Sequence, residues 1–214
     1  MGRPRSDIGP RIVHAARERF LAEGVDGASL RTIAADAGTS IGMVYYYFPT
    51  KDDLFLAVVE EVYGALLQDL DLAMSVDEAA PERLRRASAR VGQASQVELD
   101  VMKLVFREAL VSSSRLDRLF QRFMRGHIPL LLRTLQDGIE GGEIDAGLPV
   151  PLLLVASFAL LGLPQMLRRT LGERAPALQG IPQGEALSRL LIDVLMHGIA
   201  PRLTPGPTPQ RTKE

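Results

Sequence analysis

Residues 29–54 read SLRTIAADAGTSIGMVYYYFPTKDDL, two short helical patterns parted by a glycine and followed at once by a third. Ser29 is a good N-cap residue. Leu30, Ile33, Ala34 and Ala37 then recur at three- and four-residue spacing, which gives the first helix one buried face. Gly38 ends that helix, because glycine takes positive φ without steric penalty, and Thr39 or Ser40 can cap the next one. Ala34 is small enough for two helices joined by so short a turn to cross closely. An ordinary helical hairpin would satisfy all of this.

The leftover face of the second helix separates the segment from a hairpin. In IGMVYYYF, residues 41–48, the core needs roughly Val44, Phe48 and one tyrosine. Three consecutive tyrosines point in different directions around a helix, so at least one phenol faces solvent. Gly42 has poor helix propensity, and Thr39 and Ser40 are small polar donors, a composition that suits close approach to a groove better than stability. Pro49 stops the helix, and Thr50 with Asp53 forms a capping box for a helix starting at Lys51. The shape is that of a helix-turn-helix and points to DNA.

On these residues the chain resembles the TetR family of bacterial transcriptional regulators. The amino-terminal pattern runs from Ile12, Ala15, Ala16 and Phe20 through Gly24, Ser29, Ile33, Ala34, Ala37 and Gly38 to Tyr45, Phe48, Lys51 and Leu54. It covers about the first quarter of the chain. Arg19 stands where leucine is common and Thr39 where valine is common; neither removes a core anchor.

The resemblance implies an all-α protein: a three-helix DNA-binding module with a helix-turn-helix, then a larger helical body for effector binding and dimerisation, about nine helices. Expected boundaries are a flexible arm at 1–8, the DNA-binding domain at 9–55, the effector-binding and dimerisation domain at 56–200, and a disordered tail at 201–214. It also implies a dimeric repressor released from its operator by a small molecule. The helix near Ser40 to Phe48 would enter the major groove, with Thr39, Ser40, Gly42, Met43 and Tyr46 nearest the bases and Tyr45 and Lys51 on phosphates. Ser29 and the N–H groups of its helix would meet another phosphate. Arg31 could reach either phosphate or a guanine edge. Arg3 and Arg5 would enter a minor groove or remain a solvated arm.

A formal net charge of −1 argues against a nonspecific nucleic-acid coat. The positive charge is local, at Arg3, Arg5, Arg11, Arg31 and Lys51. The sequence has no cysteine, hence no disulfide and no thiolate site, and its three histidines, His14, His127 and His197, are too scattered to suggest a metal. No cofactor or metal is expected. The amino end carries no apolar stretch that would mark secretion, so the cytoplasm is the expected compartment.

Two segments imitate other classes. Residues 38–42, GTSIG, satisfy the G-x-S-x-G pattern of serine hydrolases, which would make Ser40 a nucleophile. That elbow needs a β-strand before the serine, whereas residues 30–37 have helical period. Residues 152–163 are apolar apart from Ser157, a run of roughly 12 where a bilayer span needs about 20, so they read as interior or interface and no membrane partner is expected.

Beyond Lys51 the pattern stays helical. One helix is expected to about Met74, striped by Leu54, Val58, Val62, Leu66 and Leu70; another from Pro81 to about Leu99; and a third through Met102, Val105, Phe106, Ala109 and Leu110, broken at residues 112–114. A long helix over 115–140 is expected to kink at Pro129. Met102, Phe106, Phe120, Phe123, Met124 and His127 line either a ligand pocket or the core. Arg107 and Glu108 read as surface ions. The last helix, from Ala186, carries Leu187, Leu190, Leu191, Val194, Leu195 and Ile199; Leu187, Leu191, Val194 and Leu195 are assigned to a two-fold dimer seam, the alternative being the subunit's own core.

Overall fold

Eleven α-helices and one 3-10 turn make up the described residues of the protein's computed structural model, which are 7–75, 77–172 and 174–199; no strand occurs among them. Arg3, Arg5 and the expected tail at 201–214 lie outside the described residues. The helices are α1 Ile8–Gly27, α2 Leu30–Asp36, α3 Ile41–Tyr47, α4 Lys51–Met74, α5 Ala80–Gly92, α6 Gln96–Val111, α7 Ser113–Phe123, α8 His127–Glu140, α9 Val150–Leu161, α10 Leu163–Leu171 and α11 Gly184–Ile199.

Local chemistry explains most of the boundaries, including two that differ from expectation. The helix expected to run to Leu99 stops at Gly92, because Ser95 and Glu98 form a reciprocal capping box that starts α6 afresh. Gly92 also packs so closely on α10 that a Cβ would lie 2.6 Å from the Gln165 amide oxygen. Ser112 ends α6 and caps α7 by accepting the Arg115 N–H, so the serine run separates two helices as expected. Residues 115–140 form two helices rather than one kinked helix. The break falls at residues 124–126, and Pro129 sits in the first turn of α8, where a missing N–H is harmless.

The chain divides into two compact units. One comprises the amino-terminal residues to 73 together with 93–130, the other 74–92 with the residues from 131 onward. In the first unit, Ile12, Ala16 and Phe20 of α1, Ile33 and Ala34 of α2, Val44 of α3, and Leu54, Phe55 and Val58 of α4 share one core with Val101, Leu104 and Leu119 of α6 and α7. The helix-turn-helix is thus built into a core that draws side chains from residues 93–130.

The second unit encloses Leu84, Leu135, Ile144, Leu153, Leu161, Leu187, Leu191, Ile192 and Leu195. The buried amide of Gln165 donates to the Ser188 hydroxyl at 2.8 Å and the Gly184 carbonyl at 3.0 Å. This core corrects the expected seam. Leu187, Leu191 and Leu195, one residue per turn along α11, are buried in their own unit, whereas Leu190 and Val194 are more than half exposed. Only Val194 of the four assigned residues therefore faces outward. Two adjacent apolar stripes on one helix cannot both face one core, and spacing alone does not say which does.

The apolar helix α9 behaves the same way. Leu153, Ser157 and Leu161 face inward, while Leu152, Val155 and Phe158 are exposed. Together α9 and α10 give a helical span of 22 residues, Val150–Leu171, long and apolar enough on average to cross a bilayer, although Gln165, Arg168 and Arg169 lie within it and the apolar run itself is the one read from sequence. One of its faces is committed to the protein through those three residues and Gln165.

Candidate nucleic-acid interface

The short turn between α2 and α3 depends on Gly38, which sits at φ +61. The Thr39 N–H returns to the Ala34 carbonyl at 2.9 Å, which ties the turn to α2. Ser40 has extended backbone angles, and its hydroxyl accepts the Met43 N–H at 3.3 Å, the geometry of an N-cap. Ser40 follows a helix and is engaged in capping; the strand that a hydrolase elbow requires is replaced by α2.

The outward face of α3 is larger than the sequence suggests. Val44 is fully buried and Phe48 half-buried, but all three tyrosines are exposed, Tyr46 at 77%, Tyr45 at 51% and Tyr47 at 36%. The core takes none of them completely. Tyr47 lies against Gly9, where a Cβ would come 3.5 Å from its ring, and meets Tyr46 edge to face at 5.3 Å. Ser40, Ile41 and Gly42 are also exposed, and Thr39 and Met43 are partly so. Thr39, Ser40, Gly42, Met43, Tyr45 and Tyr46 therefore share one short helix and the turn before it.

Ser29 is exposed at the start of α2, and its hydroxyl makes no capping bond. Arg31 is exposed, with no acidic side chain in salt-bridge range among the described residues. The guanidinium of Arg11 lies beside Gly38 and adds positive charge at the turn. Lys51 sits elsewhere: its ammonium donates to the Asp26 carbonyl at 3.0 Å, fastening the start of α4 to the end of α1. The expected capping box is present, with the Thr50 N–H donating to Asp53 Oδ2 at 3.0 Å and the Asp53 N–H to Thr50 Oγ1 at 3.1 Å. The Thr50 hydroxyl and then Arg118 hold the Asp53 carboxyl below the usual carboxylate range.

The departure at Arg19 has a structural counterpart. Its guanidinium bridges α1 to α2 through Asp36 at 2.6 Å and also meets Glu23 at 3.0 Å. A polar clamp on the outside of the module takes the place of an apolar side chain, and the core beneath is intact.

The residues expected to line a pocket or the core do not gather in one enclosed place. Phe106, Phe120 and Met124 are exposed, while Met102, Phe123 and His127 are partly buried. His127 packs against Phe123 and Tyr63, and its Nδ1 lies 2.7 Å from the Tyr63 hydroxyl, which also accepts the His127 N–H at 3.0 Å. Burial pushes its imidazole down to about 4, with Arg122 adding to the effect. His14 and His197 are exposed, and no metal-ligand cluster of three or more acidic, histidine or cysteine side chains occurs among the described residues. An open surface hollow of roughly 400 Å³ lies on α1 and α2 beside His14, Glu18, Arg19 and Asp36.

Reading Arg107 and Glu108 as surface ions is wrong for Glu108, which is 3% exposed and ion-paired with Arg115 at 2.6 Å. Sequence inspection missed Arg115, whose carboxylate partners are 7, 63 and 89 residues away. No local signal could have found it.

With this geometry in hand, the sequence profile described as bacterial regulatory proteins, tetR family, matches residues 12–58. The fatty acid metabolism regulator protein of Bacillus subtilis is 25% identical over 66% of this chain and 73% of its own length. The HTH-type transcriptional repressor SCO4008 of Streptomyces coelicolor is 29% identical over 76% of this chain and 82% of its own. Among solved structures, FadR of Bacillus subtilis in complex with stearoyl-CoA superposes with a TM-score of 0.71 at 23% identity, covering 89% of this chain and 98% of that one. A TetR-like regulator from Rhodococcus sp. RHA1 gives 0.63 at 22% identity, covering 92% and 98%.

Proposed function

Because the chain belongs to the TetR family of bacterial regulatory proteins and is a DNA-binding transcriptional regulator, we propose that it acts in the cytoplasm as a homodimeric repressor. Residues 9–55 form its reading module and 56–200 its effector-binding and dimerisation part. The observation that carries this reading is the face of α3, where three exposed tyrosines and the small Ser40 and Gly42 stand on a helix anchored by a single buried residue, Val44. Solvated phenols on so short a helix add nothing to the core and suit stacking and hydrogen bonding in a major groove. Thr39, Ser40, Gly42, Met43 and Tyr46 meet base edges. Tyr45, Ser29 and Arg31 meet the backbone, with Lys51 bracing α4 as well as facing phosphate.

Dimerisation uses the outward stripes of the two packed helices α9 and α11, Leu152, Val155, Phe158, Leu190 and Val194, each about half exposed or more. A two-fold dimer carries two copies of α3, one for each of two paired half-sites. The effector is a small molecule; Met102, Phe106, Phe120, Phe123, Met124 and His127 are its candidate contacts, and binding would have to draw them together, since they enclose no single site in the free chain. Likeness to a regulator seen with stearoyl-CoA makes a long-chain acyl thioester the first compound to try.

The test is fluorescence anisotropy on duplexes from the chain's own upstream DNA. Tyr46→Ala and Ser40→Ala should each lower affinity for the preferred duplex by about 1 to 3 kcal/mol, and micromolar stearoyl-CoA should release the wild type. Equal affinity for preferred and scrambled duplexes would refute sequence reading. Retention in the presence of acyl thioester would refute that ligand class.

A further inference from the structure

We propose that Arg115, on α7 and far outside the helix-turn-helix, is a positioning residue for the reading helix; this rests on the proposal that α3 reads DNA. Arg115 is 6% exposed, yet its guanidinium reaches three carboxylates on three other segments. Nε donates to Asp52 Oδ1 in the first turn of α4 at 3.0 Å, and Nη1 to Glu108 Oε2 on α6 at 2.6 Å. Asp26, at the end of α1, takes both terminal nitrogens, Nη1 at 3.2 Å and Nη2 more closely.

Glu108 completes the junction. Its Oε1 accepts the Val25 N–H at 3.2 Å and pairs with Arg107 Nε at 3.2 Å, while Arg107 donates to the Phe20 carbonyl. One residue beyond Asp52, Asp53 receives Arg118 of α7 at 2.7 Å. The first turn of α4 is therefore held by two guanidinium groups from α7 and, through Lys51, by the end of α1.

Only residues 48–50 separate this turn from α3. Pro49 has a fixed φ and Thr50 is locked in the capping box, so the link has little freedom, and the orientation of α4's first turn passes to the reading helix. A guanidinium can do this where an ammonium cannot, because its planar fork serves several acceptors at fixed angles. Burial of Arg115 and Glu108 shields their pair from water, and Asp52, one quarter exposed, is partly shielded as well.

The experiment measures anisotropy on the duplex preferred by wild type, using Arg115→Gln, Asp52→Ala and the double variant. Active protein is titrated and melting temperature recorded for each. Each single variant should weaken binding of its folded fraction by about tenfold. The double should be no weaker than Arg115→Gln, because both break the same link. The slope of log affinity against log salt should stay at its wild-type value, since no phosphate contact is lost.

A residue that only stabilises the fold would lower the melting temperature and leave the affinity of the folded fraction unchanged, and that result overturns the proposal. So do additive losses, or a slope reduced by about one unit for each half-site. Should Arg115→Gln fail to fold, Asp52→Ala, at a partly exposed position, decides by itself on affinity and slope. If wild type shows no sequence preference, the DNA reading fails first; if only the variants match wild type, the fault lies with Arg115.

Discussion

Acid should unsettle this protein earlier than its carboxylates alone would allow, because His127 is buried as a neutral imidazole. Its folded pKa is about 4 against 6.5 in the unfolded chain. Below pH 6.5 the unfolded chain binds the extra proton and the folded chain does not, so stability is whole above that pH and is lost as pH falls toward 4. Between pH 7.5 and 5 the linkage relation gives a loss of roughly 2 kcal/mol, about 4–8 °C in melting temperature for a chain of this size. The window is clean: Asp26, Asp36, Asp53 and Glu82 are held below their usual range by hydrogen bonds to Arg115, Arg19, Thr50 and Arg85 respectively. Their stabilisation begins to fade only as pH falls into the ordinary carboxylate range and is gone below their lowered values, so most of it survives at pH 5. The assay is calorimetry on wild type and His127→Asn, which keeps a polar partner near the Tyr63 hydroxyl but does not titrate. Wild type should lose the stated stability relative to the variant between pH 7.5 and 5. Parallel pH profiles would refute the assignment of a buried neutral imidazole.

Further consequences follow from the packing. Leu104→Ala, in α6 but in the core shared with α1–α4, should cost about 2–5 kcal/mol by denaturant titration and should melt the reading module with it in one transition; a module that stays folded when α6 unfolds would contradict the shared core. Val194→Asp should shift sedimentation from dimer to monomer and abolish the rise of melting temperature with protein concentration, whereas Leu195→Glu should unfold the second unit at every concentration. Gly38→Ala should cost roughly 1–2 kcal/mol, because alanine must hold the left-handed angles of the turn, and should weaken DNA binding; an unchanged stability would mean that the turn relaxes freely.

Legibility followed the range of the interaction. Gly38, the Ser40 cap and the Thr50–Asp53 box act over three or four residues, and each appears in the structure where the sequence places it. The Ser95–Glu98 box was equally local, but helical period continuing through residues 89–99 concealed it. The inward side of α11 was undecidable, since Leu187, Leu191 and Leu195 form one apolar stripe and Leu190 and Val194 another, and only packing selects between them. The tyrosines of α3 divided less evenly than expected: the short helix has room for one buried contact, taken by Val44, with Phe48 beside it. Arg115 lay beyond sequence reading, because its environment is assembled from four helical segments distant in the chain.

The central claim is that this chain reads DNA sequence as a two-fold dimer, and selection from a random duplex pool with sequencing of the retained DNA tests it most directly. The account predicts enrichment of an inverted repeat whose half-sites present major grooves to two copies of α3, with the repeat reduced to a single half-site or lost for Val194→Asp. Retained DNA without an enriched motif, or one unpaired half-site enriched by wild type, would contradict it.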